Sequence, residues 1–374
     1  MSHTVQAENV NAESVFQRGL ELSQGGDYEA AIAHFNAAIQ LQPNAYDAWN
    51  EKGNALSSLG HHEDAIACYE AAIRFNPQGP ISYYSLGRAA YVTGHYEKAI
   101  ASFSKVLELA PDFPHARYCL GLVLYVAGNY REAVSTLQQA LDLQPDFVDA
   151  WYTRAFALYS TGSYEIAIKH FNKALDLQPD CWEAYSGRAD CLRQLEDYEA
   201  AIISYDKALG LKPDDSESWY QWAVCLKNLG RYEAAIVGYD KAISCQPDDW
   251  RFWYGCSSCL MKLGDYEAAI ASYDQVVKLK PDHYEAWFNR GVAFKHLEQF
   301  EAAIASYDQA IELCPNDHKA WNNRGSALLR LNRLEEAIFS YKKVLELNPN
   351  DERAQQNLAK TIKRFNRDYG ASET

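Results

Sequence analysis

The chain has 374 residues, of which 48% are hydrophobic and 13% aromatic, and its formal net charge is −15. This much apolar material excludes general disorder, and the negative charge argues against general binding to nucleic acid or anionic membranes, which attract positive surfaces. The start of the chain has no basic and apolar leader, and no apolar run of about 18 residues follows, so we expect a cytoplasmic protein without membrane insertion.

Proline recurs every 34 residues from Pro43 to Pro349, at ten positions. A fixed period of this size is typical of a solenoid, in which each unit buries its apolar face only by stacking on its neighbours. With each of these prolines at position 32 of a repeat, ten tandem repeats occupy residues 12–351. Residues 1–11 are then predicted to form a flexible N-terminal tail, and residues 352–374 a C-terminal capping helix with a short tail.

The first half of each repeat predicts a helix. In the ninth repeat Trp287, Gly291 and Phe294 occupy positions 4, 8 and 11, which share one helical face. Glycine at position 15 of most repeats is expected to end this helix. Arg117 replaces the aromatic residue at position 4 of the fourth repeat, which leaves the local packing open. The same holds where position 8 is not glycine, at Ala155, Ala189, Ala223 and Ser257.

The second half of each repeat predicts another helix. Position 20 is alanine in all ten repeats, position 21 is isoleucine or valine, and position 24 is aromatic except at Leu137, which defines one buried stripe. Asp27, Asp197 and Asp265 at position 16 are expected to cap this helix, and the proline at position 32 to stop it. Glutamate occupies position 18 in nine repeats, so we interpret much of the negative charge as helix capping rather than an acidic site.

After the tenth repeat the helical pattern continues. Ala354, Leu358, Ile362 and Phe365 are spaced to share one helical face, and charged residues occupy the remaining positions. A solenoid needs a terminal element of this kind, with one apolar and one polar face, to cover its last repeat.

The complete pattern is Trp or Tyr at position 4, Gly or Ala at 8, Tyr at 17, Ala at 20, Phe or Tyr at 24, Ala at 27 and Pro at 32. It resembles the tetratricopeptide repeat over residues 12–351. The resemblance implies an all-α fold, an α-solenoid of antiparallel helix pairs stacked into a right-handed superhelix. It also implies a concave groove, lined mainly by the first helix of each repeat, that holds peptides or partner proteins.

Catalytic, cofactor-binding and metal-binding residues are not predicted. Cys256 and Cys259 form a CxxC pair, but Cys191, Cys225 and Cys259 share position 10, where several other repeats have Ala or Val. We therefore interpret them as small core residues, since no second pair completes a tetrahedral metal site. HExxH, nucleophile-elbow, Walker and GxGxxG motifs are missing from the sequence as well.

Tyrosines mark the predicted groove in repeats three to five. The resemblance places positions 2, 5, 9, 12 and 13 of the first helix on the concave surface, and a spacing of seven puts positions 5 and 12 on one helical face. We predict an aromatic, partner-binding surface there; the alternative is that some of these rings pack between adjacent helices. This aromatic set consists of Tyr84, Tyr91, Tyr118, Tyr125, Tyr152 and Tyr159.

Arginine, lysine and histidine occupy groove positions 2, 12 and 13 in repeats six to ten. In an acidic protein they predict attraction of an acidic peptide or carboxylate; the alternative is a solvated face balanced in part by Glu183, Asp190 and Glu217. Position 5 is never lysine, so a clamp for chaperone C-terminal carboxylates is not expected. The cationic set consists of Arg193, Lys227, Lys262, Lys295, His296, Lys319 and Arg330.

These observations favour a non-enzymatic protein-binding scaffold or adaptor that holds peptide segments or partner proteins in its groove. The alternative is a targeting or regulatory subunit of an enzyme complex whose catalytic chain is separate. A stand-alone enzyme or metal carrier is disfavoured because no ligand set is visible. The expected partners are proteins or peptides, including ones with an acidic segment, and not nucleic acid.

Overall fold

The computed structural model describes residues 11–369, which form twenty-one α-helices and no strand. The predicted N-terminal tail lies outside the described residues except for Asn11, whose side chain accepts a hydrogen bond from the backbone N–H of Ser14 and so caps α1. The last five residues, 370–374, also lie outside them. The predicted all-α class is confirmed.

Each repeat consists of two helices, a first helix at positions 1–13 or 1–14 and a second helix at positions 17–30. The first helices are α1 (Ala12–Gln24), α3 (Tyr46–Ser58), α5 (Pro80–Val92), α7 (Pro114–Val126), α9 (Val148–Ser160), α11 (Trp182–Gln194), α13 (Ser216–Asn228), α15 (Trp250–Leu263), α17 (Tyr284–His296) and α19 (His318–Arg330). The second helices are α2 (Tyr28–Leu41), α4 (His62–Phe75), α6 (Tyr96–Leu109), α8 (Tyr130–Leu143), α10 (Tyr164–Leu177), α12 (Tyr198–Leu211), α14 (Tyr232–Cys245), α16 (Tyr266–Leu279), α18 (Phe300–Leu313) and α20 (Leu334–Leu347). The chain continues into α21 (Glu352–Tyr369).

The turn between the two helices of a repeat needs a left-handed residue at position 15. Glycine supplies it in seven repeats, with φ between 74° and 84°, because a residue without a Cβ adopts this conformation at no steric cost. The other three repeats place Glu196, Glu298 and Asn332 there at φ of 61°, 58° and 59°. The predicted caps at position 16 are confirmed, since the carboxylates accept backbone N–H bonds of 3.1–3.2 Å at Asp27, Asp197 and Asp265.

In seven repeats a hydrogen bond from position 4 to the proline carbonyl fixes the start of the first helix to the end of the preceding second helix. The indole Nε1 donates to that oxygen at 2.8–3.0 Å from Trp49, Trp151, Trp219, Trp253, Trp287 and Trp321. Arg117 reproduces the bond through Nη2 at 2.8 Å from the Pro111 oxygen. The position 4 departure therefore preserves the contact that the aromatic residue makes.

Glycine at position 8 makes room for the large side chain at position 24. A Cβ on Gly53 would lie 2.6 Å from the Tyr69 ring, closer than carbon atoms can approach. In the fifth and seventh repeats, two of the three with alanine at position 8, the ring at position 24 lies against a glycine at position 6 of the next repeat. These pairs are Phe171 with Gly187 and Tyr239 with Gly255. In two of the four repeats without glycine at position 8, the glycine that makes room for the position 24 ring therefore belongs to the next repeat.

The chain divides into two compact units, Met1–Cys191 and Leu192–Thr374, and the division falls within α11. Inside each unit consecutive helices pack against each other, with the alanine of position 20 completely buried. The position 24 side chains are also fully buried, for example Phe103 and Phe171 in the first unit and Tyr239 and Tyr307 in the second. Burying one such ring stabilises the fold by about 1.5–3 kcal/mol.

The last helix, α21, packs on α20 as the predicted cap. Gln355 donates to the Pro349 oxygen at 2.9 Å, so α21 begins like an eleventh first helix. Its buried side differs from the predicted one at one position: Thr361 is fully buried, whereas Ile362 is 37% exposed. The Thr361 hydroxyl is satisfied by donating to the Asn357 oxygen at 2.7 Å, which allows a polar residue to take the buried place.

Candidate protein-binding groove

The aromatic set lies entirely in the first unit, and its position 5 tyrosines pack against other aromatic rings of their own repeats. The Tyr84 ring stacks on Phe113 with centroids 5.3 Å apart, and the Tyr118 ring lies 4.7 Å from Phe147. Tyr152 packs edge-on against Phe156 at 6.3 Å. These rings therefore contribute to packing within their repeats as well as to the surface.

The position 12 tyrosines of the aromatic set each face the first residue of the second helix in the same repeat. The ring centroids are 6.3 Å apart for Tyr91 and Tyr96, and 5.8 Å apart for Tyr125 and Tyr130. The same contact is made by Tyr159, with Tyr164 at 5.5 Å. All six members of the set are half-buried, so each keeps part of its side chain accessible to a partner.

Burial raises the pKa of phenols in the aromatic set above the ordinary tyrosine value. It raises the pKa of Tyr84 to about 12, with the neighbouring Cys119 thiol acting in the same direction. Burial likewise raises the pKa of Tyr118 to about 12, and it raises that of Tyr152, which lies beside the Asp149 carboxylate. The surface thus offers aromatic edges and neutral hydroxyl groups rather than charge.

The cationic set lies entirely in the second unit, and its members differ in burial. Arg193, Lys227 and Lys295 are half-buried, while Lys262, His296, Lys319 and Arg330 are exposed. The Lys295 Nζ donates to the Asn323 Oδ1 at 2.9 Å. Burial lowers the pKa of Lys295, and the positive charge of Arg353 in α21 lowers it further.

Two exposed members of the cationic set are engaged within the protein. Arg330 donates to Glu298 at 2.9 Å and its guanidinium lies 4.6 Å from the Phe300 ring centroid, while His296 stacks on Tyr266 at 4.4 Å. Within the described part of the chain, Lys262 and Lys319 form no side-chain hydrogen bond or ion pair. The structure therefore places two freely available ammonium groups in this region.

One carboxylate expected to balance the cationic set has another partner. Glu217 accepts from Arg251 at 3.0 Å, and the same guanidinium contacts Asp249 at 2.6 Å. These hydrogen bonds raise the pKa of Arg251 and hold its charge at the seam between α13 and α15.

A polar cavity of about 550 Å³ between α3 and α5 was not predicted. Arg88, at position 9 of the third repeat, is among its lining residues and is exposed. The signal was present in the sequence, because Arg88 is the sole lysine or arginine at position 9 in the ten repeats. Position 9 belongs to the groove positions, but tyrosines at positions 5 and 12 dominate that part of the sequence.

Arginines at position 7 form a second feature that the sequence did not reveal. Arg290 donates to Asp274 on the preceding second helix at 2.6 Å and to Ser306 on its own second helix at 2.8 Å. Arg324 repeats this arrangement one repeat later. Because each guanidinium bonds to two neighbouring second helices, both arginines hold successive repeats together.

The cysteines of the CxxC pair are buried, which raises the pKa of Cys256 to about 12 and that of Cys259 to about 11. Thiols in this state are poor nucleophiles and poor metal ligands. The described residues contain no group of three or more His, Cys, Asp or Glu side chains placed to hold a metal ion. In the same range, no helix is both long and apolar enough to cross a membrane.

Comparison with known families identifies the type of repeat in this chain. Tetratricopeptide repeat models match the chain at residues 16–80, 51–114, 84–146, 118–177, 152–216, 220–271, 259–318 and 318–351. The chain belongs to the tetratricopeptide repeat family. The predicted resemblance is thereby confirmed, and with it the α-solenoid fold. Tetratricopeptide repeats are typical of protein-interaction scaffolds without catalytic activity.

Solved structures with this repeat support the fold. The C-terminal part of a TPR repeat-containing protein from Cytophaga hutchinsonii is 20% identical, with a TM-score of 0.56, over 64% of this chain and 99% of that one. A tetratricopeptide repeat protein from Parabacteroides merdae is 19% identical, with a TM-score of 0.52, over 67% of this chain and 98% of the other.

A curated relative also matches a short part of the TPR chain. An uncharacterized protein from Methanocaldococcus jannaschii is 44% identical over 46 residues, which are 12% of this chain. The match spans about half, 54%, of the length of that relative.

Proposed function

We propose that this TPR protein is a non-enzymatic scaffold or adaptor that binds peptide segments or partner proteins along the first helices of its repeats. The observation that carries the proposal is the contrast between the two helices of a repeat. The position 24 aromatic residues of the second helices, such as Tyr239 and Tyr307, are completely buried, whereas the six first-helix tyrosines of the aromatic set are half-buried. Packing alone does not require six tyrosines that each keep an accessible edge.

The proposed surface has two parts of different chemistry. The aromatic set in the first unit suits apolar side chains with nearby hydrogen-bonding groups, and Lys262 and Lys319 in the second unit suit acidic ones. The two parts respond differently to salt, because screening weakens contacts between exposed charges and leaves apolar contacts intact. Partners bound through the aromatic set are expected to survive a salt wash that releases partners bound through the two lysines.

Affinity purification followed by mass spectrometry tests the proposal. The Tyr118→Ala and Tyr152→Ala double variant is expected to lose partners that the native chain retains, as is a Lys262→Gln and Lys319→Gln variant after washing at low salt. Phe339→Ala is the matched control, since this aromatic residue is 51% exposed on the second helix α20. Thermal melting of each variant separates lost binding from lost folding.

Unchanged partner recovery by both groove variants would contradict the proposal. Recovery of an enzyme whose activity depends on the chain would instead identify the alternative, a targeting or regulatory subunit.

A further inference from the structure

The cavity between α3 and α5 has an unusual lining for this acidic protein. Its walls carry hydroxyl and amide groups from Asn54, Ser57, Tyr84 and Ser85, and no aspartate or glutamate lines it. The cavity lies between the first helices of two successive repeats, and six of its nine lining residues occupy groove positions 5, 9, 12 or 13, while His62 and Tyr69 belong to α4. A segment lying along the proposed groove would pass over it.

Arg88 supplies the charge of this cavity. Its side chain is exposed, and within the described part of the chain it forms no hydrogen bond or ion pair. Other arginines of the first unit are engaged, for example Arg117 with Gln139 at 2.5 Å and Arg188 with Asn172 at 3.0 Å. A guanidinium has five N–H donors in a planar fork that matches a carboxylate, and those of Arg88 are available.

The groups around Arg88 are held in place by their own hydrogen bonds. The Tyr69 hydroxyl donates to the Asn54 Oδ1 at 3.0 Å, and the Asn54 Nδ2 donates to Glu51 at 3.2 Å. The Ser57 hydroxyl shares a hydrogen bond of 3.2 Å with the His62 Nδ1. The floor of the cavity is therefore a fixed polar network, and binding there requires little rearrangement.

The positive charge of Arg88 influences the pKa of two tyrosines in the cavity wall. Burial raises the pKa of both Tyr69 and Tyr84 to about 12, and in each case the charge of Arg88 acts in the opposite direction by favouring the anion. Negative charge placed in this cavity is thus stabilised by Arg88.

We propose that this cavity is a carboxylate subsite of the groove, which takes an aspartate or glutamate side chain of an extended partner segment. The inference rests on the proposed function, because it assigns one side-chain class to one part of the groove. A carboxylate matches the site better than a phosphate does, because Arg88 is the sole lysine or arginine among the lining residues. A phosphate group carries nearly two negative charges and is usually bound by several cations.

Selection from a random decapeptide display library tests the subsite on the full chain. Peptides selected by the native protein are synthesised with glutamate, glutamine or phosphoserine at each acidic position. In the native protein the change from glutamate to glutamine at one position is expected to weaken binding about tenfold or more, the usual effect of losing a hydrogen bond between charged groups. In the Arg88→Gln variant the same change is expected to have little effect.

Arg131→Gln is the matched control, because Arg131 is exposed in the same unit but lies on the second helix α8. This control is expected to keep the tenfold preference for glutamate. If Arg88→Gln and Arg131→Gln reduced the preference for glutamate equally, the preference would reflect general electrostatic attraction. That result would overturn the subsite. Tighter, Arg88-dependent binding of the phosphoserine peptide would overturn the choice of a carboxylate.

Two further outcomes separate the subsite from the proposed function. Selected peptides that ignore Arg88→Gln but lose affinity in the Tyr118→Ala and Tyr152→Ala variant would overturn the subsite and leave the groove in place. Failure to select any peptide that binds the folded chain would count against both.

Discussion

The indole Nε1 of Trp151 donates a hydrogen bond of 2.9 Å to the carbonyl oxygen of Pro145. Proline at position 32 has two roles as a result: its ring stops the second helix, and its oxygen anchors the next first helix. An oxygen acceptor accommodates different donors, which explains why arginine at 117 and glutamine at 355 replace tryptophan at position 4. Position 4 in these repeats thus needs a side chain that is long enough to donate a hydrogen bond to the proline oxygen.

Arg117→Ala is expected to destabilise the first unit by about 1 kcal/mol, because the proline oxygen and Gln139 both lose their donor. Arg117→Trp is expected to keep most of that stability, since the indole restores the bond to Pro111. Urea denaturation followed by circular dichroism measures both changes, with Arg131→Ala as the control at an exposed site. Equal stability of the alanine and native chains would show that the bond contributes nothing.

Glu196→Gly is expected to stabilise the second unit by about 1 kcal/mol. Glu196 has a φ of 61°, and a left-handed conformation costs a residue with a Cβ about 1–2 kcal/mol. The reverse change, Gly230→Ala, introduces the same strain at a φ of 74° and is expected to be destabilising by a similar amount. Changes of the same sign in the two variants, measured by chemical denaturation, would contradict this account of position 15.

Gly255→Ala is expected to destabilise the second unit by about 1–3 kcal/mol, because the added methyl group would overlap the Tyr239 ring. Adding Ala223→Gly in the same chain opens room on the other side of that ring, at position 8 of its own repeat. The double variant is therefore expected to recover part of the loss. A double-mutant cycle measures this coupling, and strictly additive effects would show that the two sites do not share the ring.

The helices themselves were predictable because their signals are local. The aspartate caps, the position 15 turn and the proline stop each act within a few residues, and the proline stop recurs in all ten repeats. Contacts between repeats were not predictable from one repeat. The bond between Arg290 and Asp274 joins residues sixteen positions apart on different helices, and it depends on how the helices stack.

The candidate site also combines features that the sequence predicts with features that depend on helix stacking. Spacing correctly identified Tyr84 and Tyr118 as first-helix residues, but their contacts with Phe113 and Phe147, twenty-nine positions later at the end of the same repeat, depend on how the helices stack. The pattern does not predict Arg88 for the opposite reason, because a basic residue occurs at position 9 in one repeat only and so forms no recurring signal.

The pair formed by Arg154 and His170 predicts a loss of stability in mild acid. The Arg154 Nη1 donates to the His170 Nε2 at 2.7 Å, so this nitrogen must keep its lone pair and the ring must be neutral. Burial lowers the pKa of His170 to about 4, and the charges of Arg154 and Lys169 act in the same direction. In the unfolded chain the pKa of histidine is about 6.5.

Between pH 6.5 and 4 the unfolded chain therefore binds a proton that the folded chain does not bind, so the free energy of unfolding falls as the pH falls. One proton gives a slope of at most about 1.4 kcal/mol per pH unit, and solvent around the half-buried ring reduces it. His170→Gln, whose amide oxygen can accept from Arg154, is expected to remove this part of the slope. The measurement is urea denaturation at several pH values, and the Arg154→Gln and His170→Gln double variant should show no further change. A slope that is identical in the native and His170→Gln chains would show that His170 takes up its proton equally in the folded and unfolded states.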